Sequence, residues 1–102
     1  MTARLGIGIV TYNRKDVVLE TLNRVRAHTG TPCIVAVADD GSDDGTADAV
    51  RAQQVTVATG PNMGIAWNKN RALFLLSAVM QCDVVILLED DSFPTQDGWE
   101  TE

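Results

Sequence analysis

Four short runs of apolar residues, separated by longer amphipathic stretches, set the rhythm of the chain. Leu5 to Val10, Cys33 to Ala38 and Val84 to Leu88 are almost continuously apolar and rich in β-branched residues. Such runs are too short for helices and suit strands buried on both faces of a parallel sheet. Gln54 to Thr59 instead alternates through Val55 and Val57, which predicts a half-exposed strand near a sheet edge. Between these runs, Val18, Leu22 and Val25 fall at i, i+4 and i+7, predicting one helix of about fourteen residues. Gly30-Thr31-Pro32 should end it. A short helix is expected over Thr46 to Gln53, capped by Asp44 or Ser42. A longer one is expected over Ile65 to Gln81, with Ala66, Leu73, Leu76 and Met80 marking its apolar face and Leu75 and Val79 widening it. The tail from Phe93 to Glu102 has turn-like residues and no period. The order β-α-β-α-β-α-β predicts an α/β domain with right-handed crossovers and a parallel sheet. Neither repeats nor linkers interrupt it.

Composition narrows the class. A chain of 102 residues has room for one domain. With 14 Asp and Glu against 8 Lys and Arg, the formal net charge is -6. This speaks against nucleic acid or an anionic membrane as partner, since both need a basic face. Cys33 and Cys82 stand alone beside apolar runs and read as small core residues of a reducing compartment. No apolar run approaches the ~20 residues of a membrane span, and no signal peptide opens the chain. A cytoplasmic protein, or a soluble piece of a larger one, is expected.

The acids are clustered, and the clusters carry the chemistry. Val84 to Leu88 runs straight into Glu89-Asp90-Asp91, and Cys33 to Ala38 runs into Asp39-Asp40-Gly41-Ser42-Asp43-Asp44. Both clusters therefore lie at the carboxyl ends of strands, the rim where open α/β sheets bind ligands. Adjacent carboxylates repel one another and invite a cation. One cluster can accept hydrogen bonds from a base or ribose while the other holds a metal. Mg²⁺ or Mn²⁺ suits donors that are all oxygens. Two solvated acidic loops are the plainer alternative. Asn62-Met63-Gly64, followed by Asn68, Lys69 and Asn70, forms a third polar group, in which Lys69 either meets a phosphate or base carbonyl or is an exposed surface lysine. Gly6-Ile7-Gly8 opens like a dinucleotide fingerprint, but the glycines sit inside the strand and Thr11 stands where the third belongs. A phosphoacceptor receiver domain would need its acidic pair after the first strand, where this chain has Thr11-Tyr12-Asn13. His28 reads as a surface or helix-capping residue. Trp67 and Trp99 read as core or loop packing in preference to ligand stacking.

Four segments together carry a family resemblance. Ile9-Val10-Thr11-Tyr12-Asn13-Arg14, Ala38-Asp39-Asp40-Gly41-Ser42-Asp43-Asp44-Gly45-Thr46, Asn62-x-Gly64 through Asn70, and Leu88-Glu89-Asp90-Asp91 resemble the successive signatures of family 2 glycosyltransferases. That resemblance implies the nucleotide-binding half of a GT-A fold: a Rossmann-like open parallel sheet of order 3-2-1-4 flanked by helices. It also implies an inverting enzyme that uses a nucleotide-diphosphate sugar, UDP- or GDP-linked, with a divalent metal. Thr11, Tyr12, Asn13 and Arg14 would belong to the nucleotide site, with Tyr12 against the base. Asp39 or Asp40 would accept a hydrogen bond from the base. Asn62 and Gly64 would line the site, and Lys69 stands where the family commonly has Arg. Glu89-Asp90-Asp91 occupies the place of the D-x-D motif, with Glu89 facing the ribose, Asp90 beside it and Asp91 binding the metal.

The resemblance also marks a gap. The family's general base lies well downstream of the D-x-D motif, in an acceptor-binding half, and this sequence runs only eleven residues past Asp91. A truncated transferase, its donor-binding part alone and inactive by itself, is therefore expected. A stand-alone nucleotide- or metal-binding module is the alternative. In the order 3-2-1-4 the apolar fourth strand is an edge, the kind of surface that pairs with another chain. A homo-oligomer through that strand and weak or absent nucleotide affinity are further expectations.

Overall fold

A computed structural model describes residues 4–92 and 95–99. Phe93, Pro94 and Glu100 to Glu102, part of the predicted turn-like tail, lie outside the described residues. The strands are β1 (Leu5–Thr11), β2 (Cys33–Asp39), β3 (Thr56–Thr59) and β4 (Val84–Glu89). The helices are α1 (Lys15–His28), α2 (Thr46–Arg51) and α3 (Ile65–Phe74), the last continued by a π-helical turn over Leu75–Val79. All strand pairs are parallel and the order is β3-β2-β1-β4. This is the predicted α/β topology, with the expected strand order.

The sheet's two faces differ in the size of their side chains, and that difference places the helices. Ile7 and Ile9 of β1 align with Val35 and Val37 of β2. With Val18, Leu22 and Val25 of α1 they form the larger core, which Val50 and Val55 complete. The predicted stripe of α1 is thus its buried face. Successive side chains of a strand alternate between faces, so Gly6 and Gly8 point the other way. A Cβ at Gly6 would lie 2.8 Å from Cys82 Sγ, and one at Gly8 would lie 3.0 Å from both Leu76 and Leu87. The two glycines let α3 and its π turn lie close against the sheet, which explains why they sit inside the strand. Cys33 packs on the α1 face and Cys82 on the α3 face. The two cysteines form no disulfide.

Three expectations are corrected. β4 is not buried on both faces: Val84 is 50 % exposed and the middle of the strand is half-buried, because the strand forms a sheet edge. α3 and its continuation bury only part of the predicted face: Leu76 is in the core and Leu75 and Met80 pack against it. The buried residues of α3 are Asn68 and Ala72, joined by Leu76 of the π turn, while Ala66, Leu73 and Val79 are exposed. Beneath Asn68 and Ala72 the sheet combines Val10, Ala38 and Leu87 with the carbonyl ends of β1 and β2, so a small side chain and an amide donor fit there. The helix also does not stay α-helical to Gln81. Ser77 Oγ donates to Leu73 O at 2.6 Å, the competition a serine offers a helix backbone. The segment winds into the π turn and stops at Gln81, whose φ is 58°.

The short helix α2 begins after Gly45, which is left-handed and provides no side-chain cap. Asp44 still serves its start, accepting from Thr46 N at 3.1 Å and from the Thr46 hydroxyl. His28 lies at the end of α1, its Nδ1 2.6 Å from Asp97. Trp99 packs on the larger core and donates from its indole to Thr29 Oγ1 at 2.8 Å. Trp67 is 53 % exposed on α3, in contrast to the core or loop packing expected of it.

Candidate functional site

The register of the sheet brings remote residues to one rim. Thr11 pairs with Asp39 and Val10 with Glu89, so the acids after β2 and β4 flank the end of β1 on the same border. A cleft of about 370 Å³ opens there. Of the residues singled out by sequence, Thr11, Tyr12, Arg14, Asp40, Asn62, Gly64, Asn68, Glu89, Asp90 and Asp91 line it. Asn13, Asp39 and Lys69 do not.

Those three have other partners. Asn13 has a left-handed backbone, φ 49°. Its N–H donates to Ser42 Oγ at 2.7 Å and its Oδ1 accepts from Asp43 N at 2.8 Å, so it ties the loop after β1 to the loop after β2. Asp39, 1 % exposed, accepts from Ser42 N at 3.1 Å, from the Ser42 hydroxyl, and from Thr59 Oγ1 at 3.0 Å. Lys69 Nζ lies 3.7 Å from Glu89 Oε1. Of the pair left open by sequence, Asp40 is the one that reaches the cleft. Its carboxylate accepts from Met63 N at 2.8 Å and Gly64 N at 3.0 Å, holding the loop before α3 against the end of β2. Gly41 makes that approach possible. Its φ is +80°, and a Cβ there would lie 2.8 Å from Asn62 N.

Two residues matter more than the sequence reading allowed. Asn68 is 2 % exposed. Its amide donates to Ala38 O at 2.9 Å and, at 3.4 Å, to Thr11 O, so it caps the carbonyl ends of β2 and β1 together. Arg71, one turn on, donates to Asp39 O at 2.9 Å, Asn68 Oδ1 at 2.8 Å and Pro61 O at 3.1 Å. It also stands 3.5 Å from Asp40. The spacing held a usable signal: Asn68, Ala72 and Leu76 recur every four residues, with Arg71 beside them. A small and a polar residue on one stripe can mark a buried polar face as well as a surface.

The β4 side of the cleft has a different character. Asp90 is 7 % exposed and turned inward. It accepts from Thr11 Oγ1 at 3.0 Å and pairs with Arg14 Nη1 at 3.0 Å, while Thr21 of α1 donates its hydroxyl to the Asp90 carbonyl. The side chains of Glu89 and Asp91 remain 52 % and 55 % exposed. Asp44, beyond the cleft, has its carboxyl held below the usual aspartate range. The Thr46 hydroxyl is the main cause; burial opposes it, and the backbone N–H groups of Lys15, Thr46 and Asp44 itself add to the lowering.

The donor set can be weighed against a divalent cation. Among the described residues no three carboxylate, histidine or cysteine side chains gather into a chelating group. Mg²⁺ and its analogues are commonly held by one or two carboxylates together with substrate phosphates and water. An exposed Asp91 with Glu89 nearby fits that mode, and does not fit a cage that binds metal by itself.

With the fold and cleft defined, comparison assigns the class. The family model described as glycosyl transferase family 2 matches residues 7–101, and the chain belongs to that family. Among solved structures, the chain is similar to the mannosyltransferase PcManGT from Pyrobaculum calidifontis, determined in complex with GDP-Man and Mn²⁺. The TM-score is 0.72 at 23 % identity, over 93 % of this chain and 29 % of that one. It is also similar to TarS of S. aureus, with a TM-score of 0.76 at 22 % identity, over 96 % of this chain and 18 % of TarS. The chain thus spans less than a third of either structure. These likenesses establish the fold as that of GT-A glycosyltransferases, an open parallel sheet of order 3-2-1-4 flanked by helices. No curated protein matches the chain. Among the described residues no helix is long and apolar enough to cross a membrane.

Proposed function

We propose that residues 1–102 form the donor-binding domain of a longer family 2 glycosyltransferase, holding a nucleotide-diphosphate sugar with the help of Mg²⁺ or Mn²⁺. The observation that carries this reading is the meeting of Asp40 and Asp91, from opposite sides of β1, in a single cleft. The GDP-Man and Mn²⁺ bound by the mannosyltransferase neighbour support it.

The roles follow from position and chemistry. Tyr12, 46 % exposed at the end of β1, offers its ring face to the base. Asp40, held by two backbone N–H groups, presents a fixed acceptor to the base N–H. Glu89 accepts from the ribose hydroxyls. Asp91 holds the divalent cation, which would neutralise the diphosphate and stabilise it as a leaving group. The parent enzyme would transfer the sugar with inversion, by attack of an acceptor hydroxyl opposite the diphosphate, deprotonated by an acceptor-side carboxylate. The exposed edge at β4 would pair with a second copy. Sedimentation at high concentration tests that contact, and a purely monomeric profile rejects it.

Titration calorimetry with UDP and GDP, with and without Mn²⁺, tests the donor site. Metal-dependent heat that disappears in Asp91→Ala supports it. Binding indifferent to Mn²⁺ and to Asp91 overturns it, and absence of heat with both nucleotides favours a structural α/β domain without a donor site.

A further inference from the structure

Each carboxylate of the Glu89-Asp90-Asp91 triad has a cation of the same chain beside it. Lys69 serves Glu89 at 3.7 Å. Arg14 serves both of the others, its Nη1 lying 3.0 Å from Asp90 Oδ1 and 3.7 Å from Asp91 Oδ2. The two Arg14 contacts are not equivalent. Asp90 is inward, with a side-chain exposure of 10 %, and also accepts from Thr11. Asp91 is 55 % exposed and meets the guanidinium at the longer distance. One contact is an anchor and the other is open to exchange.

We propose that Arg14 is a built-in counter-ion that holds Asp91 in the unliganded cleft, gives it up to the divalent cation, and then turns to the incoming diphosphate. The proposal rests on the donor-site reading and adds an order of events to it. Arg14 is placed for the exchange. It is the residue immediately before α1, its side chain is 46 % exposed, and it lines the same cleft as Asp91. A guanidinium has five N–H donors in a planar fork, so it can keep Asp90 on one edge while another edge finds a new oxygen.

The exchange has a thermodynamic signature. A metal arriving alone must break the Arg14–Asp91 pair and leave a cation beside it, so its affinity is reduced. A diphosphate arriving with the metal gives the freed guanidinium an anionic partner, so metal and nucleotide favour each other's binding. Such coupling is reciprocal by linkage. The pair is exposed and its effect is accordingly modest, about two- to fivefold in the metal dissociation constant.

The test is Mn²⁺ binding to the full chain, read from the electron paramagnetic resonance of free Mn²⁺, first without nucleotide and then with UDP or GDP. Arg14→Gln should bind Mn²⁺ alone about two- to fivefold more tightly than the wild type, and the further gain on adding nucleotide should shrink. Arg14→Lys keeps the charge and should stay near the wild-type value, and a urea midpoint for each variant checks that the fold is intact. Equal or weaker Mn²⁺ affinity in a folded Arg14→Gln overturns the counter-ion role. If Arg14→Gln tightens Mn²⁺ but neither nucleotide alters Mn²⁺ affinity in the wild type, the transfer to diphosphate and the donor-site reading fail, while the competition for Asp91 stands.

Discussion

The two acidic borders of the cleft begin from nearly the same sequence signal and diverge: both carboxylates of the Asp39-Asp40 pair are buried, whereas of Glu89, Asp90 and Asp91 only Asp90 is. After β2, Asp39 and Asp40 are 1 % and 4 % exposed. Hydroxyl and backbone N–H donors surround them, and Arg71 closes the network through the Asp39 carbonyl. After β4, the side chains of Glu89 and Asp91 are more than half exposed and paired with cations at 3.7 Å. Position in the sheet accounts for the difference. β2 is paired on both sides and its end is covered by the loop before α3, whereas β4 is an edge strand. Buried carboxylates must be satisfied by fixed donors, so they become part of the frame. Exposed ones with loosely held counter-ions can change partners. The β2 border shapes the cleft, and the β4 border keeps two carboxylates whose partners are loosely held.

Substitutions can break this contrast. The largest effect is expected from Asp39→Ala, which empties a buried carboxylate position and leaves the half-buried Ser42 donors without their acceptor. A loss of about 2–4 kcal/mol in urea unfolding is expected, and a loss within experimental error would mean that the β2 border is not a frame. Arg71→Met comes next. It removes the donors of the Asp39 and Pro61 carbonyls and should cost about 1–3 kcal/mol, with weaker nucleotide binding by calorimetry as the loop from Gly60 to Gly64 loosens. Asp91→Asn should do the reverse. Stability should stay within about 0.5 kcal/mol, while Mn²⁺-dependent nucleotide binding falls about tenfold or more, a change of about 1.4 kcal/mol. Loss of the fold in Asp91→Asn would erase the distinction between the two borders.

The smallest effect is a pH dependence. The Asp44 carboxyl is depressed in the folded chain, chiefly by the Thr46 hydroxyl. Its contribution to stability is therefore complete above the ordinary aspartate range and is lost as pH falls through the lower folded value. Solvent exposure screens it. Asp44→Asn should make urea midpoints decline slightly less between about pH 5 and pH 2.5, and a steeper decline would contradict the assigned hydrogen bonds.

Legibility in the sequence followed the same divide. The stripe Val18, Leu22, Val25 could be read directly, since a helix one layer deep buries the side its spacing marks. The four segments resembling the family also kept their order, and the rim they implied is present. Reading failed where a residue's surroundings come from elsewhere in the chain. Leu73 was expected inside α3 and is exposed, while Asn68 and Arg71 are held against the ends of β1 and β2. Hydrophobicity ranks side chains against water, and here the first turns of the helix face Val10, Ala38, Leu87 and strand-end carbonyls.

Taken alone, the order of residues determined the alternation of strands and helices, the buried side of α1, and the placing of both acidic groups at strand ends. Only the tertiary structure decided that Asp40 reaches the cleft while Asp39 turns to Ser42 and Thr59, and that one arginine serves both Asp90 and Asp91. The physical reason is that neighbouring residues leaving a strand point to opposite sides. Which side becomes a pocket depends on the segments that fold across it, and those come from tens of residues away.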